Sequence, residues 1–156
     1  MRVRSSTKPR KTGLSSSMKV LIVMPLRVMR STSLKVSSAA RWLMPPTGFE
    51  AVVGNAFTFQ TKPGGNWDGV IHCRVLEVVA NRRLVYAWKG GDARNTGYGA
   101  PLDTVVTWSL TPVEAGTRIR LVHAGFVLPR NESAYTVMSG GWKKVVRQLD
   151  EISGEE

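Results

Sequence analysis

Two histidines, one cysteine and eleven carboxylates are the raw material for any polar chemistry in this 156-residue chain. Their spacing restricts what they can do. Between Thr117 and Ala124, Arg118 and Arg120 alternate with Ile119, Leu121 and His123, and a period of two is the pattern of a half-buried strand. The arginines belong in solvent, so His123 shares the buried face with Ile119 and Leu121. In the run from Gly69 to Val79 the buried row is Ile71, Cys73 and Val75, which turns His72 and Arg74 outward. Two histidines on opposite faces and a single cysteine do not make a metal site. His123 is the sharpest candidate for acid–base work, but a catalytic imidazole is usually tuned by a carboxylate. Asp68, Asp92 and Asp103 fall in turns or at strand ends rather than in the inward rows. The glycine-rich stretch Gly90–Gly99 has no Lys-Ser/Thr pair and opens no helix, so it is not a phosphate loop. No catalytic residue, metal or cofactor is assigned on these grounds.

The inward rows are instead aromatic. Tyr86 and Trp88 alternate with Leu84 below them, and Trp108 lies in a row with Val106 and Leu110. Phe57 and Phe59 share one face of the segment Ala56 to Lys62. Such a set serves as core packing. It also suits an apolar pocket with a few polar tips, of which His123 would be one.

The elements that must carry these residues are mostly strands. Phe49 to Val53 is a short strand candidate closed by Gly54-Asn55, and Ala56 to Lys62 follows. Pro63-Gly64-Gly65-Asn66 is a turn by composition. Gly69 to Val79, Leu84 to Lys89, Asp103 to Thr111 and Thr117 to Phe126 then follow at short intervals, which fits antiparallel neighbours and excludes parallel crossovers. Near the C-terminus the period changes. Tyr135, Met138, Trp142, Val145, Leu149 and Ile152 recur at spacings of three and four and form one helical stripe. Asn131 or Ser133 is placed to cap it, and Pro129 stands just outside. Gly140-Gly141 in its middle implies either a close approach to the backbone or a helix that starts at Gly141. The predicted class is α+β, with the stripe buried against a curved antiparallel sheet.

Charge is unevenly distributed. The formal net charge is +11, yet residues 1–41 hold ten Lys or Arg and no acid, while the rest of the chain holds twelve basic and eleven acidic side chains. The first carboxylate is Glu50. The high pI therefore belongs to the N-terminal quarter and not to the body of the domain. That quarter has no aromatic residue, so sequence-specific reading of nucleic acid from it is not expected. Residues 1–17 are read as a basic, disordered tail and 18–156 as the domain. The acid-free, Arg- and Ser-rich start has three readings: a basic tail, a targeting peptide, or a segment of separate origin such as a shifted frame or a wrong start. The absence of a visible cleavage site favours the first and third over targeting. The longest apolar run, Val20 to Leu26, is too short to span a bilayer. The lone Cys73 rules out an intramolecular disulfide and fits a reducing, cytoplasmic compartment.

A family resemblance rests on several short runs in order. They are Trp42-Leu43-Met44-Pro45, Val53-Gly54-Asn55-Ala56-Phe57, Trp67-Asp68-Gly69 and Arg83-Leu84-Val85-Tyr86-Ala87-Trp88, then Gly116-Thr117-Arg118, His123-Ala124-Gly125-Phe126 and Gly141-Trp142. Together they resemble the activator of heat-shock protein 90 ATPase homologue-like family of the START-like (SRPBCC) superfamily, over residues 42 to about 152. The resemblance implies a helix-grip fold, a curved antiparallel β-sheet wrapped around a long C-terminal α-helix with a hydrophobic cavity between them. It also implies a first strand and two short helices before Trp42. Lys19 to Val23 is the candidate for that strand.

The leading functional expectation is binding of a lipophilic small molecule without catalysis. The ligand-binding set expected is Trp42, Phe57, Phe59, Tyr86, Trp88, Trp108, His123, Met138 and Trp142. The alternatives are a cyclase- or hydrolase-like enzyme using His123, and a co-chaperone-type domain with a chaperone or other protein partner in a stress response.

Overall fold

The computed structural model describes residues 15–23, 45–113 and 116–153. Six strands and one helix make up these segments: β1 (Ser15–Val23), β2 (Ala56–Gln60), β3 (Val70–Val79), β4 (Arg83–Gly90), β5 (Leu102–Val113), β6 (Gly116–Val127) and α1 (Glu132–Ser153). The strands form one curved antiparallel sheet in the order β1-β6-β5-β4-β3-β2. Strands β2 to β6 are a meander, as their short connections require, and β1 closes the far edge by pairing with β6. The α+β reading is therefore the observed class. The N-terminal strand starts at Ser15, three residues before the expected domain boundary at Met18. The remainder of the basic segment, the two short helices expected before Trp42 and Trp42 itself lie outside the described residues.

The faces follow the alternation read from the sequence. Ile71, Cys73 and Val75 are buried on β3, and Phe57 and Phe59 on β2. Tyr86 and Trp88 are buried on β4, as are Ile119, Leu121 and His123 on β6. His72, Arg74, Arg118 and Arg120 are exposed. The β3–β4 hairpin turns through Asn81, whose φ of 61° lies in the left-handed region that asparagine tolerates better than most residues. A register shift between Val75 and Glu77 leaves Glu77 as well as Leu76 outside and brings Val78 back against the core. One break in the alternation shapes the core. Gly125 adopts φ of 108°, and a Cβ there would sit 3.1 Å from the Asp103 carbonyl oxygen. This kink lets both His123 and Phe126, three residues apart, point inward, with ring centroids 4.7 Å apart.

Two expectations are corrected. Phe49–Val53 is not a strand. The segment folds around Asn55, whose Oδ1 accepts from the Glu50 N–H and whose Nδ2 donates to the Gly48 carbonyl. Val52 and Val53 stand exposed at its tip, so the apolar run has no sheet to join. The second concerns Gly140-Gly141. The helix runs through both without a break, and among the described residues nothing lies within 4 Å of a Cβ built at either. They sit on the exposed face of α1, so neither a close approach nor a late helix start explains them.

The core sits between sheet and helix. Among the described side chains of the helix, Trp142 and Val145 are buried in it, and Ala134, Tyr135 and Met138 pack on it while partly exposed. Burying an indole and a valine from one side of a 22-residue helix supplies the apolar area that holds α1 on the sheet.

Candidate functional site

His123 lies at the centre of the helix–sheet contact and is fully buried. Three elements bring its partners to it. The Trp142 Nε1–H on α1 donates to His123 Nδ1 at 3.0 Å. Nδ1 must then carry the lone pair, so in the neutral ring the proton sits on Nε2. That N–H faces Thr104 Oγ1 on β5 at 2.7 Å, and the Thr104 hydroxyl donates to the Trp88 carbonyl on β4 at 2.9 Å. The relay runs from helix to β6 to β5 to β4, and every donor and acceptor within it is used. Burial without a charged partner drives the imidazole pKa down to about 3. The ring is thus neutral at ordinary pH, with neither nitrogen free to take a proton from a ligand.

Among the described residues, Asp68, Asp92 and Asp103 are engaged elsewhere. Asp68 accepts from the Val70 N–H, Asp92 chelates Arg94 and Asp103 lies 3.7 Å from Lys89. The Arg94 contacts hold the Asp92 carboxyl down at about 2. No cluster of His, Cys, Asp and Glu able to hold a metal ion occurs among the described residues.

Around the relay stands an aromatic wall. Trp142 meets Trp88 and Trp108 edge-on, with ring centroids 5.9 and 5.8 Å away. Phe59 lies 5.2 Å from Trp88, and Phe57 lies 5.4 Å from Tyr86. The Trp108 Nε1–H donates to the Tyr86 hydroxyl at 3.1 Å. Burial raises the pKa of the Tyr86 phenol and pushes the Cys73 thiol up to about 12, so both are neutral. Of the expected ligand-binding set, the structure gathers Phe57, Phe59, Tyr86, Trp88, Trp108, His123, Met138 and Trp142 in or against one core. Trp108 and Met138 are its partly exposed members. Trp42 lies outside the described residues.

Two polar residues here play parts that the sequence reading did not assign to them. Thr104 is 1% exposed and completes the relay. Its parity with Val106 and Trp108 was the available signal, since it occupies the next inward position of the same strand. Asn131 was expected as a helix cap. Instead its side chain accepts from the Val127 N–H and donates to the Pro101 carbonyl, fastening the start of α1 to the entrance of β5.

A curved antiparallel sheet carrying a long C-terminal helix, with a neutral and aromatic contact between them, is the arrangement of the helix-grip class of domain. Residues 35–154 match the family described as Activator of Hsp90 ATPase homolog 1-like protein, and the chain belongs to that family. Solved structures agree. A protein from Mesorhizobium loti is 26% identical with a TM-score of 0.69, the match covering 90% of this chain and 99% of that one. A protein from Chromobacterium violaceum is 23% identical with a TM-score of 0.57, over 90% of this chain and 99% of that one. A Bacillus halodurans protein is 21% identical with a TM-score of 0.60, over 88% and 96% of the two chains. No curated protein matches. No helix among the described residues is long and apolar enough to cross a membrane.

Proposed function

We propose that this domain binds a lipophilic small molecule between sheet and helix and performs no chemistry on it. The observation that carries this reading is the state of His123. Its two ring nitrogens are both engaged by Trp142 and Thr104, and burial keeps it neutral. The residue best suited by type to catalysis is therefore committed to holding the fold. What remains on the inward face is aromatic and uncharged, a lining that rewards apolar area. Membership of a START-like family agrees with this.

Entry is assigned to the margin where the aromatic wall is incompletely covered. Trp108 and Leu84 pair across β4 and β5, and Met138 sits one helical turn before Trp142. All three are only partly buried. A flexible thioether on the helix side can move aside without breaking a hydrogen bond. The basic segment before β1 is assigned to a tail that takes no part in this site.

The test uses the purified full chain and N-phenyl-1-naphthylamine, a neutral probe that fluoresces in apolar surroundings. The expected result is saturable enhancement at one probe per chain, lowered by Met138→Glu, together with a lipophilic adduct in native mass spectrometry. Absence of both would remove the binding reading. Turnover of an ester or a cyclisable ketone lost on His123→Gln would replace it with the enzymatic one.

A further inference from the structure

On β4, two buried side chains carry hydrogen-bond donors that find no acceptor among the described residues. Tyr86 is 4% exposed and Trp88 1%. The Tyr86 hydroxyl oxygen accepts from the Trp108 Nε1–H, but its own O–H finds no acceptor among the described residues. The Trp88 Nε1–H is in the same position: its carbonyl is used by Thr104, and its indole N–H is not used. By contrast the other three indole N–H groups among the described residues all have acceptors, Val70 O for Trp67, Tyr86 for Trp108 and His123 for Trp142. Buried donors are almost always paired, so two left over on one strand call for an explanation. They occupy successive inward positions, with ring centroids 6.5 Å apart and planes 30° from each other. Both rings lie on the inward face of the strand.

We infer that the ligand carries a neutral carbonyl acceptor, and that the Tyr86 O–H, seconded by the Trp88 N–H, recognises it. The inference rests on the lipophile-binding reading and narrows it to conjugated or aryl ketones and their ester and amide relatives. Neutrality follows from the surroundings. No Lys or Arg occupies the inward row of β2, β3, β4 or β6, and His123 is uncharged and saturated. Among the described residues, a carboxylate placed there would find no counter-charge. A ketone oxygen needs only donors, and two are waiting. Its ring system would meet the edges of the aromatic wall.

The experiment uses the full chain and three naphthalenes of nearly one shape. These are 2-acetylnaphthalene with a neutral acceptor, 2-isopropylnaphthalene with none, and 2-naphthoate with a charged one. Calorimetric titration is expected to place the ketone roughly tenfold tighter than the hydrocarbon, the worth of one desolvated hydrogen bond. In Tyr86→Phe, which keeps the ring against Phe57, that advantage should shrink to about twofold or less. Infrared spectra supply a second measurement that holds even if the variant misfolds. The carbonyl stretch of the ketone bound to wild type should fall below its value in hexane. Equal affinity for ketone and hydrocarbon, or an unshifted stretch, would overturn the acceptor while leaving lipophile binding intact. Tightest binding of naphthoate would overturn neutrality. If none of the three binds, the lipophile reading itself fails and takes this inference with it.

Discussion

The indole of Trp142 and the imidazole of His123 are joined by one hydrogen bond of 3.0 Å, and this bond ties the helix to the sheet. It also fixes the tautomer of the histidine and so aims the opposite N–H at Thr104. A single contact therefore sets the packing of α1 and the protonation geometry of the core together.

Removing the indole should be costly on two counts. Trp142→Ala opens a large cavity, which costs about 3–5 kcal/mol, and leaves His123 Nδ1 without its donor. Trp142→Phe retains most of the volume and loses the N–H, for about 1–3 kcal/mol. Urea unfolding of the three proteins gives both figures. A Trp142→Ala variant within a few tenths of wild type would show that the helix is not held as described.

The histidine also gives a pH dependence with a definite sign. Its folded pKa of about 3 lies below the ordinary value of 6.5. Below pH 6.5 the unfolded chain takes up a proton that the folded chain refuses. The stability His123 confers is therefore complete above pH 6.5 and is lost as pH falls toward 3, with a slope approaching about 1.4 kcal/mol per unit. Asp92 titrates at the acid end of that window, with its folded pKa at about 2, and leaves the range from 6.5 to 4.5 to the imidazole. Unfolding curves at pH 7, 5.5 and 4.5 should show this loss in wild type and a flatter profile in His123→Phe. Equal slopes would mean that the ring is not buried neutral.

The paired glycines of α1 make a prediction of opposite direction. Gly140 and Gly141 are exposed, helical and open at the position of a Cβ. Gly140→Ala and Gly141→Ala should each stabilise the fold, by about 1 kcal/mol. Thermal unfolding checks it, and a lowered midpoint in either would reveal a neighbour that the described residues do not include.

Much of this arrangement was legible in the residues. Arg118 and Arg120 oriented β6, and that orientation alone placed His123 inside with Leu121. The spacing of Tyr135, Met138, Trp142 and Val145 gave the helix and its buried side. The strand expected at Phe49–Val53 failed because a short apolar run does not say whether a sheet edge is there to receive it, and Asn55 folds it into a loop. The identity of the partners of His123 was hidden for a different reason. Thr104 and Trp142 lie on separate elements, and which of them meets which nitrogen depends on the cross-strand register Trp88↔Thr104 and Val106↔His123. Parity shows a face, whereas a hydrogen bond needs a register.

Thr104 offers the cleanest separation of relay from packing. Its hydroxyl accepts from His123 and donates to the Trp88 carbonyl, and its methyl fills space within a site that is 1% exposed. Thr104→Val keeps shape and volume but deletes the hydroxyl, which strands the His123 Nε2–H and one lone pair of the Trp88 carbonyl in an apolar interior. That should cost about 1–3 kcal/mol. Thr104→Ser keeps the hydroxyl and loses one methyl, so it should cost about 1 kcal/mol. If the relay matters, serine is the milder change and valine the harsher. Nitrogen and proton chemical shifts of the imidazole add a readout that packing alone would not move. Trp142 should hold the proton on Nε2 in both variants. In Thr104→Val the Nε2–H, left without its acceptor, should shift toward the position of an unbonded N–H, while Thr104→Ser stays near wild type. The reverse order of stability, with valine neutral and serine damaging, would mean that Thr104 is held for its methyl and that the chain from Trp142 to Trp88 is incidental.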